Sequence, residues 1–570
     1  MHTSISKLFV KAGDTLQTVM DRMNNVRKED ASLPRGIALV VDTGKRLLGI
    51  VTDGDVRREF SKGTPAGTPV SKIMTKKPGT ITVDRWPSNI LPVLSDKIKA
   101  GSWPKERLEK IIIVDKKNHV LDVVSFYDLI HTSDVRYKHI GIVGLGYVGL
   151  TLALTLADLG FRVKGHDNNK KVMEALGKGR AHFFEEGLDE LLTEHIGKNF
   201  VLVDDFKGGN NADIYIVAVG TPLTSKNQPD LTALKGSLTT IGKVLKPGDA
   251  VVLRSTVPIG TTRNFVIPLL EKLSRLKGGE DFLVSFAPER TVAGKALEEL
   301  KTLPQIIGGV NHAASELIAN MFSFLTRSII HVDSLEAAEM VKLINNSYRD
   351  VTFAFANEVS LVAQEWNVHT KKLIEAANYG YTRSTIPLPS PGVGGYCLEK
   401  DPFLFMASAK EKINKPKLPE HARSVTNAMR KKILTDIISF LNTHKKGKNA
   451  KILVLGLAFK GRPETSDLRG STSLAYITDL QSKGYKNIWG CDPSVFAHEL
   501  EGRGITLTNP KEGFKNADVV LLMTNNPAFD DLPLKRLLET TKKPVLFFDA
   551  WNIASPADMQ KLPGVLYKHL

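Results

Sequence analysis

His139-Ile140-Gly141-Ile142-Val143-Gly144-Leu145-Gly146-Tyr147-Val148-Gly149 is the stretch on which the fold turns. The first five residues read as a buried strand, and the apolar run after Gly149 reads as a helix. Three glycines at G-x-G-x-x-G spacing join the two. Such glycines let backbone approach a pyrophosphate, whose charge the following helix N-terminus stabilises. A second strand over 162–166 ends at Asp167, 18 residues beyond Gly149. A carboxylate there accepts hydrogen bonds from an adenosine ribose and repels a 2′-phosphate. Gly144, Gly146, Tyr147, Val148, Gly149 and Asp167 are therefore expected to hold NAD rather than NADP. The alternative is a tight helix–strand contact that merely needs glycine.

Downstream, strands expected at 213–219 and 250–253 alternate with helical stretches, the pattern of a doubly wound parallel sheet. One long helix is predicted over 336–366, with Met340, Ile344, Tyr348, Val351, Phe355, Val359, Val362 and Trp366 recurring at steps of three and four. Apolar residues off this stripe suggest cover on several sides, as for a connector between domains or subunits. After a polar linker at 444–451, a second α/β unit opens with a strand at 452–455. A helix at 471–484, a strand at 487–490 ending at Cys491-Asp492 and a strand at 519–523 follow.

Upstream, the first ~130 residues repeat themselves with an offset of 73. Val10 matches Val83, Val41-Asp42 matches Val114-Asp115, Thr52 matches Ser125, and Asp55 matches Asp128. Each copy places a Thr/Ser-x-x-Asp at a helix start. This repeat resembles a CBS-domain pair. The resemblance implies an adenine nucleotide as partner, with Thr52, Asp55, Ser125 and Asp128 at its ribose and phosphate; a purely structural repeat is the alternative. The expected class is thus α/β: two Rossmann-like doubly wound domains joined by a long central helix, preceded by an α+β CBS-domain pair. The expected boundaries are 1–134, 139–335, 336–443 and 450–570.

Composition narrows the function. No apolar run nears the ~20 residues of a membrane span, and Met1-His2-Thr3-Ser4-Ile5-Ser6-Lys7 lacks a signal-peptide pattern. A cytoplasmic protein without a membrane span is expected. Two cysteines, Cys397 and Cys491, give no disulfide framework. The net charge of +16 is spread along the chain, so no nucleic acid is expected as partner; a dianionic nucleotide suits the excess equally well. No metal site is expected.

Pro391-Gly392-Val393-Gly394-Gly395-Tyr396-Cys397-Leu398-Glu399-Lys400-Asp401 carries the strongest chemical signal. Glycines before the cysteine permit a bend that exposes a thiol, and a helix starting there brings Asp401 near it. A thiol attacks an aldehyde to give a thiohemiacetal, which becomes a thioester on losing hydride. Lys342 and Asn346, four apart, share a helix face and suit an oxyanion. On spacing alone a solvated surface lysine is the plainer reading.

Seven segments occur in order: residues 144–149, Val219-Gly220-Thr221-Pro222, Ser255-Thr256-Val257-Pro258, Pro288-Glu289-Arg290, Glu339-x-x-Lys342-x-x-x-Asn346, the Cys397 segment and Gly456-Leu457-Ala458-Phe459-Lys460. Together they resemble the UDP-glucose/GDP-mannose dehydrogenase family over residues 139–570. The resemblance implies an NAD domain, a dimerising helical core and a C-terminal domain for the nucleotide of a nucleotide sugar. It makes Cys397 the nucleophile, Lys342 and Asn346 the oxyanion stabilisers, and Asp401 and Thr256 groups that position or activate water. Glu289 matches the acid that serves thioester hydrolysis. Thr221 and Thr256 join the cofactor set. Arg290, Gly394, Lys460 and Arg469 join Glu289 and Lys342 around substrate, with Arg383 near where the family supplies an arginine from a partner subunit.

What this implies is an NAD-dependent, four-electron oxidation of a sugar CH2OH to a carboxylate by a homodimer or higher homo-oligomer. Residues 287–295 resemble the branch acting on UDP-N-acetylhexosamines. Tyr396 stands where that branch usually has histidine, and Lys400-Asp401 resembles the glucose branch, so UDP-glucose or GDP-mannose is the alternative substrate. A two-electron hydroxyacid dehydrogenase and a non-catalytic nucleotide-binding regulator are the alternatives in other classes.

Overall fold

The computed structural model describes residues 5–29, 33, 36–82, 111–124, 134–136, 138–209 and 211–570. The chain divides into two compact units, Met1–Lys138 and His139–Leu570.

In the first unit, β1 (Phe9–Lys11), β2 (Ile37–Val41) and β3 (Leu47–Thr52) form one sheet, parallel then antiparallel. β4 (Thr80–Thr82), β5 (Ile111–Val114) and β6 (Val120–Val124) repeat that arrangement. The pair Ala38–Val51 recurs as Ile111–Val124, and both hairpins shift register before their last pair, Val41–Leu47 and Val114–Val120. The offset of 73 therefore holds through the hairpins. It fails at the first strand: Val10 pairs with Val40 but Ile81 with Ile113, so Ile81 replaces Val83 as the counterpart of Val10. A slip of two residues keeps the same side chains inward, because strand side chains alternate with period 2. Val83, Ser125 and Asp128 lie outside the described residues. The copies join through their turns, Leu47 N donating to Asn118 O and Val120 N to Lys45 O, two bonds related by the same offset. Leu39 and Ile50 pack with Ile112 and Val123 in one shared core.

The second unit opens with β7 (His139–Val143), β8 (Arg162–His166), β9 (Phe200–Leu202), β10 (Ile214–Val217), β11 (Ala250–Leu253), β12 (Leu283–Phe286), β13 (Gln305–Gly309) and β14 (Ile329–His331). Their order is β14-β13-β12-β11-β10-β7-β8-β9, parallel throughout except between β12 and β13. Strands buried on both faces, such as the wholly buried Ile214–Val217, need no polar alternation. Chain order reverses between β7 and β10, which opens a crevice at their C-terminal ends. A second sheet takes β15 (Ile452–Leu455), β16 (Ile488–Cys491), β17 (Ile505–Leu507), β18 (Val519–Leu522), β19 (Val545–Asp549) and β20 (Val565–His569). Its order is β17-β16-β15-β18-β19-β20, all parallel.

A 31-residue helix, Leu335–Glu365, links the two sheets, and the Ser334 hydroxyl caps it on Ala337 N at 3.1 Å. Within the chain, the face it buries is the polar one. Met340, Ile344, Tyr348, Phe355, Val362 and Trp366 are 41–78% exposed, whereas Glu339, Lys342, Asn346, Asp350 and Asn357 are buried. The chain itself supplies partners for several of these buried polar groups. Glu339 accepts Thr262 N at 2.8 Å, Asp350 accepts Arg423 Nε at 2.8 Å, and Asn357 accepts Ser390 N at 2.9 Å. Paired polar groups let that face pack inward, leaving the apolar stripe outside.

Candidate active site

The crevice of the first sheet, the central helix and the second sheet enclose a cavity of about 910 Å3. At its cofactor end, Gly144 takes a φ of +93° and closes on Gly149, where a Cβ would lie 1.7 Å from Gly144 O. A Cβ on Gly146 would instead enter open space. That space faces the start of the helix Tyr147–Asp158, which has no side-chain cap. Asp167 Oδ2 accepts Leu145 N and Oδ1 accepts Asn169 N, both at 2.8 Å. An uncapped helix start, room at Gly146 and a fixed acid fit NAD, with Val148, Thr221 and Thr256 also on the cavity wall.

At the reactive end, Gly395 (φ +91°) starts the helix Tyr396–Ala407, which places Cys397 in its first turn and Asp401 one turn on. The Cys397 side chain is open to the cavity, yet the cavity lies deep in the protein. That burial, and then the Asp401 charge, push the thiol above its ordinary pKa; Lys342, Lys400 and Arg469 oppose them. Asp401 is wholly buried, with Oδ2 accepting Asn346 Nδ2 at 2.5 Å and Oδ1 accepting Lys400 Nζ at 2.6 Å. Lys342 and Asn346 arrive from the central helix, both buried and both on the cavity wall. The solvated-lysine alternative is therefore excluded.

Glu289 lines the same cavity, but its carboxylate is fully engaged. Oε2 accepts Arg254 Nε at 3.0 Å and Nη2 at 2.6 Å; Oε1 accepts Arg290 N and Thr291 N, each at 2.7 Å. Burial works against its charge, but Arg254 and the Thr291 N–H prevail and hold the carboxyl below its ordinary pKa. Sequence reasoning missed Arg254. Its signal was a charge ending the apolar run Ala250-Val251-Val252-Leu253; it is 2% exposed and also donates to Ala287 O and Gln305 Oε1. Lys400 was read only as a mark of substrate branch, and proves to be the partner of Asp401.

The second sheet closes the cavity. Arg469 is held by both Asp467 oxygens between the rings of Tyr147 and Tyr396, at 4.8 and 4.9 Å from their centroids. Lys460 Nζ donates to Ala293 O at 2.6 Å, and burial lowers its pKa to about 8. Arg290 Nη2 donates to Pro304 O at 2.6 Å. A Cβ on Gly394 would lie 2.5 Å from Gly470 O, so only glycine lets the Cys397 loop meet the second sheet's loop. Arg383 is exposed and is not part of this cavity wall. In the first unit, the Thr52 hydroxyl accepts Asp55 N and donates to Asp55 Oδ2, and Asp55 also pairs with Arg58. Both side chains thus cap the helix Asp53–Ser61.

A dinucleotide turn and an open thiol share one cavity, the arrangement of an NAD-dependent oxidoreductase. The chain belongs to the UDP-glucose/GDP-mannose dehydrogenase family: its NAD binding, central and UDP binding domains match residues 138–326, 336–428 and 453–556. The CBS domain matches residues 4–62. UDP-N-acetyl-D-mannosamine dehydrogenase from Pyrococcus horikoshii is 34% identical over 73% of this chain and 95% of its own length. An NDP-N-acetyl-D-galactosaminuronic acid dehydrogenase from Ralstonia nicotianae is 32% identical over 71% and 94%. The solved structure of the UDP-D-ManNAc dehydrogenase from P. horikoshii superposes with a TM-score of 0.68, covering 76% of this chain and 98% of that one. Among the described residues, no helix is long and apolar enough to cross a membrane.

Proposed function

We propose that this enzyme oxidises the C6 hydroxymethyl of a UDP-N-acetylhexosamine to a carboxylate, reducing two NAD per turnover. The observation that carries this reading is Cys397 at a helix start, open to a cavity that Lys342, Asn346 and the Gly144–Gly149 turn also line. A two-electron hydroxyacid dehydrogenase has no use for that thiol. The N-acetylhexosamine rests on the names of the relatives and on residues 287–295.

Bound NAD supplies the hydride acceptor for both oxidations. The Lys342 ammonium and the Asn346 amide stabilise negative oxygen, first on the alkoxide at C6 and later on the tetrahedral adducts. Cys397 adds to the aldehyde carbon as a thiolate, giving a thiohemiacetal; loss of hydride makes the thioester, and water releases the acid. Asp401 orients Asn346 and holds Lys400, and acts through them on the water that Thr256 positions. Glu289 accepts a proton from that water. Its four lone-pair directions already carry N–H donors, so one of those bonds opens during hydrolysis. Lys460, Arg290 and Arg469 hold the nucleotide sugar.

The exposed stripe of the central helix supports a homodimer, whose second copy would bring Arg383 to the neighbouring cavity. Residues 1–134 would form a regulatory module for an adenine nucleotide at Thr52 and Asp55, ahead of modules at 139–335, 336–443 and 450–570 for cofactor, assembly with catalysis, and nucleotide sugar. A cytoplasmic setting accords with these ligands.

NADH counted per substrate consumed, across a panel of UDP- and GDP-sugars, tests the reading. Two NADH per sugar are expected, with a UDP-N-acetylhexosamine preferred over UDP-glucose by about tenfold in kcat/KM, or about 1.4 kcal/mol. Cys397→Ala should make no carboxylate. One NADH per sugar, or wild-type carboxylate formation by Cys397→Ala, would refute it.

A further inference from the structure

β15 and β16 reproduce the start of the cofactor domain. Leu455 pairs with Cys491 as Val143 pairs with His166, each pair ending its two parallel strands. A glycine follows each first strand, Gly144 at φ +93° and Gly456 at +89°. Its N–H donates to the last carbonyl of the second strand, His166 O at 2.9 Å and Cys491 O at 2.8 Å. An aspartate follows each second strand. Asp492 Oδ2 accepts Leu457 N at 2.7 Å and Oδ1 accepts Ser494 N at 2.9 Å, the same two bonds that Asp167 makes at 2.8 Å. Asp492 is therefore set as Asp167 is set for the adenosine ribose. Ala458 N adds one more donor at 3.0 Å, leaving about one of its four lone-pair directions for a ligand hydroxyl.

Beside Asp492 lies a cavity of about 630 Å3 that shares no wall residue with the catalytic one. Pro493, Leu507, Pro510, Ala528 and Phe529 give it apolar walls suited to a flat ring, and Thr508 adds a hydroxyl. What the duplicate lacks is the phosphate site. Its helix, Thr472–Ser482, begins 16 residues after Gly456 rather than at the turn. Gly461, at the place of Gly149, lies so close to the chain after β18 that a Cβ would come within 2.1 Å of Asn526 N. No helix start follows this turn directly to face a pyrophosphate.

We propose that this cavity is a second nucleoside site, in which Asp492 takes a ribose hydroxyl and the apolar wall takes the base. The Cys491 thiol beside it is buried, and burial and the Asp492 charge push its pKa up to about 12, which keeps it protonated at neutral pH. The site binds a nucleoside, or the nucleoside end of a nucleotide, and is distinct from both the NAD and the sugar-nucleotide sites.

The test titrates adenosine into the full-length enzyme saturated with NADH, so that the Asp167 site is filled. Adenosine should still bind. 2′,3′-Dideoxyadenosine should bind at least about tenfold more weakly, since a hydrogen bond to a carboxylate is lost. Leu507 is 37% exposed on an edge strand, so Leu507→Arg places a long charged side chain on the cavity wall without disturbing a core. It should weaken the NADH-resistant adenosine binding at least about tenfold while NADH affinity stays unchanged. Absence of NADH-resistant binding would overturn the proposal, as would an equal affinity for the dideoxy compound. Adenosine binding unchanged in Leu507→Arg would overturn it too, and would point to the repeat in residues 1–138 or to the sugar-nucleotide site, which UDP added with the NADH tells apart. The dideoxy comparison uses wild-type protein and stands however the variant folds.

Discussion

Asp401→Asn separates the two tasks that the structure gives this carboxylate. The substitution keeps the side chain's shape and one acceptor oxygen but removes its charge. Lys400, whose side chain is only 7% exposed, then loses the counter-charge 2.6 Å away. Removing one partner of a buried pair typically costs about 3–5 kcal/mol, because the remaining charge is left uncompensated. The unfolding midpoint of the variant should fall accordingly. At Cys397 the effect runs the other way. After burial, the Asp401 charge is the main influence that raises the thiol pKa, while Lys400 lowers it. Losing the first and freeing the second both favour thiolate, and each unit by which a thiol pKa falls gives about tenfold more thiolate below that pKa. Iodoacetamide should therefore alkylate Cys397 faster in Asp401→Asn than in wild type at neutral pH, although turnover drops. Intact-mass kinetics from pH 6 to 9 would measure this, with buried Cys491 as the silent control. An unchanged or slower alkylation rate in a folded variant would show that the thiol does not feel Asp401.

Glu289→Gln should leave both hydride transfers possible but slow hydrolysis, giving a burst of NADH, a stall, and a mass adduct on Cys397; a stall with no adduct would contradict its assigned role. Burial lowers the Lys460 pKa to about 8, so its positive charge is present below that pH and lost above it. KM for the nucleotide sugar should accordingly rise between pH 7 and 9 in wild type but not in Lys460→Arg, and a KM flat across that range in wild type would be the contrary result. Tyr348 is 71% exposed in the middle of the apolar stripe. Tyr348→Glu should convert a dimer to a monomer in light scattering, whereas an unchanged mass would remove the stripe from the interface.

Local pattern made much of this protein readable. The strand, the three glycines and Asp167 sit within 29 residues, 139 to 167, so spacing alone located the strand–turn–helix that opens the NAD binding domain. The same holds for the hairpins of the repeat, where identical turns keep the offset of 73, and for the cysteine loop, where glycines announce a bend before the helix. The first repeat strand was misaligned by two residues because period-2 alternation is satisfied equally by either register.

Long-range pairing decided the rest. Periodicity found the central helix but could not say which side faces inward. An apolar stripe is also what a subunit interface needs, and the buried face carries polar residues whose partners lie as far along the chain as Asp401 and Arg423. Arg254 and Glu289, 35 residues apart, meet only because β11 and β12 are neighbours in the sheet. Lys342 looked solvated because a helix alone does not show what covers it; Cys397, Glu289 and Asn346 share its cavity only once the sheets close on that helix. Sequence set the residue types and their local geometry, and the tertiary fold set the charges around them, because desolvation and ion pairing depend on what packs nearby in space.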